Sequence, residues 1–179
     1  MRIISGQHKG RRITAPKKLP VRPTTDMAKE GLFNILNNSF HFNKLNVLEL
    51  FSGSGNVSYE FASRGAVSVT SVDENVDCVN FIRKTSQELD MKITPIKSDV
   101  FKYLERAPIK ADIIFADPPY DFDDSQFKKI VDLVFEKQLL NEDGVLIIEH
   151  SKHTKMDSVE HFDVGRRYGN SVFSFFKLI

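Results

Sequence analysis

The four residues Asp117, Pro118, Pro119 and Tyr120 directly follow the apolar run Ile113–Ala116. A short apolar run that stops at prolines predicts a buried strand with a sharp turn at its carboxyl end. The prolines donate no backbone hydrogen bond, so nearby carbonyl oxygens remain free to accept one from a ligand. The motif therefore predicts a strand end that presents a carboxylate, free carbonyl oxygens and an aromatic ring.

This combination fits a flat ring that carries an amino group. Asp117 and the Pro118 carbonyl can accept hydrogen bonds from the exocyclic NH2 of a nucleobase, while Tyr120 stacks on the base. The alternative is a strand that ends in a structural proline turn, as most Asp-Pro pairs do. Our candidate catalytic residues are Asp117, Pro118, Pro119 and Tyr120.

A second apolar run, residues 46–51, continues into the glycine-containing turn 52–56 and an apparent helix at 57–63. Glycines let the backbone turn tightly and let a ligand approach it closely. The dinucleotide-binding fingerprint requires a third glycine at the position where this chain has Ser58. The turn is therefore expected to bind a nucleotide ligand other than a nicotinamide or flavin.

Acidic residues follow the next two strand patterns. Asp73 ends the strand 66–72, about 20 residues beyond the glycines, where a carboxylate can accept from ribose hydroxyls. Asp99 follows the strand 93–97 and could accept from an adenine amine, although either acid alone could be a helix cap. Their order predicts an adenosine pocket beside an acceptor amine, which suggests S-adenosylmethionine and methyl transfer. The candidate cofactor-binding residues are Glu49, Phe51, Ser52, Gly53, Ser54, Gly55, Asn56, Asp73, Glu74, Ser98, Asp99 and Val100.

These motifs resemble those of class I methyltransferases that act on exocyclic amines. The N-terminal pattern narrows the resemblance to the RsmD family of small-subunit ribosomal RNA guanine N2-methyltransferases, and it is carried by residues 2–6, 9–12 and 22–26. The resemblance covers almost the whole chain. It implies an α/β Rossmann-like fold with a seven-stranded, mostly parallel sheet and helices on both faces. It also implies S-adenosylmethionine as cofactor, and ribosomal RNA or the assembling small subunit as partner.

The charge of the chain is unevenly distributed. The net charge is +1, but residues 1–25 hold seven basic residues and no acidic one, which leaves −6 for the rest. A basic segment on an acidic body favours binding to a phosphate backbone. Gly6 and Gly10 permit turns and Ile3, Ile4 and Ile13 provide apolar anchors, so a β-hairpin is expected. The candidate RNA-binding residues are Arg2, Lys9, Arg11, Arg12, Lys17, Lys18 and Arg22.

The rest of the sequence predicts structural elements that support the site within a single compact domain. We divide the chain into a basic RNA-binding extension, 1–25, and a methyltransferase domain, 26–179. The remaining elements are predicted as helices at 26–38, 75–89 and 125–139, a strand at 145–149 and a terminal hairpin at 162–179.

Composition limits other classes of function. With one cysteine the chain forms no internal disulfide, and Cys78 is expected to be a small apolar helix residue. His150 and His153 lack the spacing of metal ligands, so we expect surface positions and no metal. No signal peptide or membrane span is evident, which favours a cytoplasmic protein, expected as a monomer.

Two alternatives remain open from the sequence. The Asp-Pro-Pro-Tyr motif is shared with adenine N6 and cytosine N4 enzymes, so a DNA adenine methyltransferase is one of them. A chain of 179 residues leaves little room for a separate sequence-reading domain, which disfavours that alternative. The other is a non-catalytic RNA-binding module that retains the fold, because a fold alone does not establish activity.

Overall fold

The computed structural model describes all residues, Met1–Ile179, as seven strands and five α-helices. The strands are β1 Asn46–Leu50, β2 Ser68–Asp73, β3 Ile93–Lys97, β4 Ala111–Ala116, β5 Leu140–Ser151, β6 Phe162–Tyr168 and β7 Ser171–Phe176. The helices are α1 Asp26–Ser39, α2 Asn56–Ser63, α3 Val76–Glu88, α4 Val100–Arg106 and α5 Asp124–Glu136. None of the helices combines the length and the apolar character needed to cross a membrane.

All strands lie in one sheet, in the order β3-β2-β1-β4-β5-β7-β6. The strands β1 to β5 are parallel to one another, and β7 runs antiparallel to both β5 and β6. The predicted fold class is therefore confirmed. The strand order reverses between β1 and β4, and in open α/β sheets this reversal opens a crevice at the carboxyl ends of the strands.

Two apolar cores fix the helices on the two faces of the sheet. Ile113 and Phe115 of β4 face the core that contains residues of α1, α2 and α3. Ile114 and Ala116 face the other core, which contains residues of α4 and α5. Because alternate residues of a strand point to opposite faces, one apolar run serves both layers.

The first 13 residues are packed into the domain. Ile3 and Ile13 are buried in the core shared with α1 and α2. Arg2 and Arg12 form one isolated antiparallel bridge, flanked by backbone hydrogen bonds of 2.9 Å from the Ile3 N–H to the Arg11 carbonyl and from the Ile13 N–H to the Met1 carbonyl. The antiparallel pairing expected of a hairpin is limited to these few residues and forms no regular strands. The Glu60 carboxylate of α2 accepts hydrogen bonds from the backbone N–H of Ile4 at 2.8 Å and that of the next residue at 3.1 Å.

Several sequence predictions require correction. Phe51 leaves β1 because its φ is 57°, in the left-handed region. The strand predicted from residue 66 begins at Ser68, the helix predicted to residue 139 ends at Glu136, and α4 was not predicted. His150 is buried rather than at the surface, with its Nε2 atom 2.7 Å from the Ser174 hydroxyl.

Candidate active site

A cavity of about 630 Å³ lies at the carboxyl ends of the parallel strands, where the strand order reverses. All four residues of the Asp-Pro-Pro-Tyr motif line it. Every predicted cofactor-binding residue also lines it except Gly55 and Ser98. The parallel topology thus brings the separate sequence motifs together in one cavity.

The glycine turn holds its shape through left-handed backbone conformations. Gly53 has φ 52° and Gly55 has φ 86°. A side chain at Gly55 would place its Cβ atom 2.8 Å from the ring of Tyr59, so the close packing at this position favours glycine. The Gly53 N–H donates a 2.9 Å hydrogen bond to the Asp73 carboxylate, which ties the turn to the end of β2.

The two strand-end acids are fixed by local hydrogen bonds and also face the cavity. Asp73 accepts a second hydrogen bond, at 2.9 Å, from the Asn75 N–H. Asp99 caps α4 by accepting from the Lys102 N–H at 2.9 Å, as the helix-cap alternative anticipated. A carboxylate offers about four acceptor positions, so both acids keep capacity for a ligand.

Glu49 and Asn56 form the buried wall of the cavity. Glu49 accepts hydrogen bonds from the backbone N–H and the hydroxyl of Ser58, and burial raises its pKa to about 8. The Asn56 side chain accepts from the Lys29 ammonium at 2.8 Å and donates to the Thr24 carbonyl at 3.0 Å. Asn56 therefore connects the wall to the chain that precedes α1.

A second carboxylate stands beside Asp117. Ala116 of β4 pairs with Ile148 of β5, so Asp117 and Glu149 are the next residues on adjacent parallel strands. Burial raises the pKa of Asp117 well above its usual range, the charge of Glu149 adds to this, and the positive charge of Arg22 opposes it. Burial also raises the pKa of Glu149, although hydrogen bonding by Thr24 counteracts the rise.

Tyr120 stands at the mouth of the cavity, and 68% of its surface is exposed. The guanidinium of Arg22 lies over its ring, 5.2 Å from the centroid. Two other predicted RNA-binding residues are engaged with acids, since Arg2 pairs with Asp26 at 3.5 Å and Lys18 with an acid of α3 at 3.6 Å. The other four form no ion pair and are exposed: Lys9, Arg11, Arg12 and Lys17.

Sequence reasoning missed part of the cavity wall. Phe101 and Phe122 stack with ring centroids 6.0 Å apart, and Phe51 meets Phe122 edge to face at 5.4 Å. Both missed rings follow predicted site residues closely, which was the available signal. Thr24 and Glu149 were also missed, because their contact joins distant parts of the chain. Cys78 lines the cavity as a buried thiol whose pKa is raised to about 11 by burial, so it is a poor nucleophile.

The sheet order and the position of the cavity define a class I methyltransferase fold. A family described as Conserved hypothetical protein 95 matches residues 1–177. The ribosomal RNA small subunit methyltransferase D of Buchnera aphidicola (strain Bp) is 31% identical over 150 residues, which cover 83% of this chain and 75% of that protein. The chain belongs to this family, the RsmD family of ribosomal RNA small subunit methyltransferases.

Two further proteins extend the comparison. The protein of the same name from Haemophilus influenzae is 27% identical over 181 residues, covering 98% of this chain and 91% of its own length. The solved Thermus thermophilus 16S rRNA N2 methyltransferase RsmC, in complex with AdoMet and guanosine, superimposes with a TM-score of 0.70. It shares 20% identity and covers 89% of this chain and 45% of its own, which is a likeness of fold.

Proposed function

We propose that this chain transfers a methyl group from S-adenosylmethionine to the exocyclic N2 amine of a guanine in small-subunit ribosomal RNA. Family membership makes the chain a ribosomal RNA methyltransferase that depends on S-adenosylmethionine. The guanine N2 position and the roles of individual residues are the proposal. The observation that carries it is the position of Asp117 and Tyr120 at one end of a cavity whose other walls are the glycine turn and the strand-end acids.

The residues of the cavity fit the parts of this cofactor. Asp73 is held at the end of β2 by the Gly53 N–H and is proposed to accept hydrogen bonds from two ribose hydroxyls. Asp99 and the aromatic pair Phe101 and Phe122 offer an acceptor and apolar surfaces for an adenine ring. S-adenosylmethionine supplies a sulfonium-activated methyl group, so the protein contributes binding, orientation and electrostatics.

The amine of guanine is a weak nucleophile because its lone pair is delocalised into the ring. Asp117 and the Pro118 carbonyl accept hydrogen bonds from its two N–H groups and orient the nitrogen toward the methyl group. Asp117, as a carboxylate, also stabilises the positive charge that develops on the nitrogen as its bond to the methyl carbon forms and the bond from sulfur to that carbon breaks. The nitrogen then releases one of its two protons, to Asp117 or to water, which leaves a neutral methylated amine. Tyr120 is exposed enough to stack on a base that has left its neighbours in the RNA.

The choice of guanine N2 rests on two lines of support. The N-terminal pattern resembles that of the guanine N2 enzymes of the RsmD family, and the solved fold relative RsmC is a 16S rRNA N2 methyltransferase in complex with guanosine. The basic residues of 1–25, with Arg22 at the cavity mouth, are proposed to contact RNA phosphates. They are proposed to do so as part of one folded domain that acts as a monomer.

The experiment is transfer of a labelled methyl group to small ribosomal subunits from cells that lack this protein, followed by digestion to nucleosides. The proposal predicts labelled N2-methylguanosine. Labelled N6-methyladenosine would retain the chemistry but contradict the choice of base. No labelled nucleoside from subunits, despite measurable cofactor binding, would favour a non-catalytic RNA-binding role.

A further inference from the structure

A second basic surface lies beside Tyr120, formed by parts of the chain that are distant in sequence. We call it the β5-turn surface and define it by Lys152, His153, Lys155 and Arg167, all of which are exposed. Three of these residues follow β5, and Arg167 lies near the end of β6. None of them belongs to the N-terminal segment that the charge pattern of the sequence singled out.

Hydrogen bonds to the turn between β6 and β7 join the two parts of this surface. The Lys152 N–H donates a 3.1 Å hydrogen bond to the Asn170 carbonyl in the turn between β6 and β7. The Arg167 Nε–H donates to the Gly169 carbonyl of the same turn at 2.8 Å. The turn and the end of β5 therefore form one continuous surface, held in place by the sheet.

This surface borders the proposed base-binding position. A small pocket beneath the motif is lined by Tyr120 and Pro119 together with Ser151, Thr154 and Ser171. Thr154 lies between Lys152 and Lys155 in the chain. The segment that carries Lys152 and Lys155 thus passes next to the residues that are proposed to hold the target base.

The N-terminal basic residues approach from another direction. Arg11, Arg12 and Lys18 line a cavity against α3, the helix that follows β2. The β5-turn surface instead lies next to β7, because β5 pairs with β7 at its carboxyl end. Tyr120, which follows β4, stands between the two, since β4 lies between β1 and β5 in the sheet.

The charges of the β5-turn surface are available to a ligand. Lys152, Lys155 and Arg167 form no ion pair, whereas Lys128 pairs with Asp132 at 2.6 Å and Lys177 with an acid of β6 at 3.1 Å. By contrast, the loop between β4 and α5 exposes Asp121 and Asp123, and the first residue of α5, Asp124, is exposed as well. A polyanion that approaches Tyr120 is therefore attracted on the β5 side and repelled on the side of this loop.

We infer that the β5-turn surface is a second RNA-binding surface, which contacts the phosphates that flank the target nucleotide. The RNA backbone then crosses the mouth of the cavity from the N-terminal segment to β5 and avoids the acidic loop. This inference rests on the proposed function for its choice of RNA as the polyanion. The β5-turn surface thus defines one side of the path of the RNA, and the N-terminal residues define the other.

The test compares two double variants that each remove two lysine charges. Lys152→Ala/Lys155→Ala alters the β5-turn surface. The control, Lys110→Ala/Lys137→Ala, alters exposed lysines that precede β4 and β5. These lysines lie at the amino ends of the strands, whereas the cavity lies at the carboxyl ends. Binding of small-subunit ribosomal RNA is measured as a function of salt for the wild type and both variants, together with cofactor affinity and thermal unfolding.

We expect Lys152→Ala/Lys155→Ala to weaken RNA binding roughly tenfold and to lower the slope of log affinity against log salt by about 2. Cofactor affinity and thermal stability should stay at wild-type values, and the control should retain the wild-type slope. An unchanged slope in the first variant, or equal losses in both variants, would overturn the inference. Because binding is measured directly, failure of the proposed methyl transfer appears separately, as RNA binding without N2-methylguanosine.

Discussion

Thr24 donates a buried hydrogen bond of 2.7 Å to Glu149, a residue 125 positions later in the chain. The bond joins the segment that carries Arg22 to the strand beside Asp117. Glu149 therefore has a fixed position next to the proposed acceptor of the amine. Through this bond the N-terminal segment fixes the position of the Glu149 charge, which raises the pKa of Asp117.

The first prediction concerns the pH dependence of methyl transfer. In the proposed mechanism Asp117 is ionised when it stabilises charge on the amine, so its raised pKa predicts that activity increases with pH through the titration of this group. Glu149→Gln removes a neighbouring negative charge while its amide oxygen can still accept from Thr24. The rising limb of the kcat profile should therefore move to lower pH. Glu142→Gln, an exposed position on the same strand, is the control and should leave the limb unchanged.

The second prediction separates two adjacent acids at the end of β2. Asp73→Asn should weaken binding of S-adenosylmethionine about tenfold or more, because hydrogen bonds to a charged group are lost. Glu74→Gln should weaken binding clearly less, since Glu74, although it lines the cavity, is exposed and forms no hydrogen bond with the glycine turn. Isothermal titration calorimetry with the cofactor measures both. A larger loss in the Glu74 variant would contradict the assignment of the ribose contact.

The third prediction tests how firmly the N-terminal segment is built into the domain. Gly6 and Gly10 both have positive φ, 88° and 83°. An added Cβ at Gly6 would lie 2.0 Å from the Ser63 carbonyl oxygen, whereas at Gly10 it meets nothing within 4 Å.

Gly10→Ala should therefore lower the free energy of unfolding by about 1–2 kcal/mol through backbone strain alone. Gly6→Ala should lower it by clearly more, because the steric clash adds to the strain. Urea unfolding of the two variants measures the difference. Equal losses of unfolding free energy would show that the backbone at Ser63 shifts readily to make room for the added Cβ atom.

The fourth prediction concerns stability rather than activity. Glu49 has a folded-state pKa of about 8, above its ordinary value of about 4.5. Between these values the unfolded chain releases a proton that the folded chain keeps, so this group lowers the free energy of unfolding as pH rises. Glu49→Gln removes that contribution. The decline between pH 5 and pH 8 should be smaller in the variant than in the wild type, as measured by chemical denaturation at each pH.

Local sequence patterns predicted the parts of the site that lie directly after strands. Asp73 ends β2, and Asp99 and Asp117 lie just after β3 and β4; parallel topology brings the carboxyl ends of these strands together. The helix α4 was missed because seven residues contain too few turns for a periodic pattern.

Local sequence patterns could not predict contacts between segments that are distant in the chain. The burial of His150 depends on Ser174 of a neighbouring strand, and the partner of Glu149 lies before α1. The β5-turn surface likewise forms only when β6 and β7 fold back on β5. In each case the partner is set by the register of the sheet, which no local periodicity encodes.

The measurement that tests the account most directly compares Asp117→Ala with the wild type, in cofactor binding and in methyl transfer to small-subunit ribosomal RNA. We expect the variant to bind S-adenosylmethionine with nearly wild-type affinity, because the proposed ribose and adenine contacts, Asp73 and Asp99, lie at the end of β2 and just after β3. We also expect transfer to fall by at least a hundredfold, roughly the loss of one electrostatic contact to the transition state. Loss of cofactor binding together with transfer, or transfer at the wild-type rate, would contradict the account.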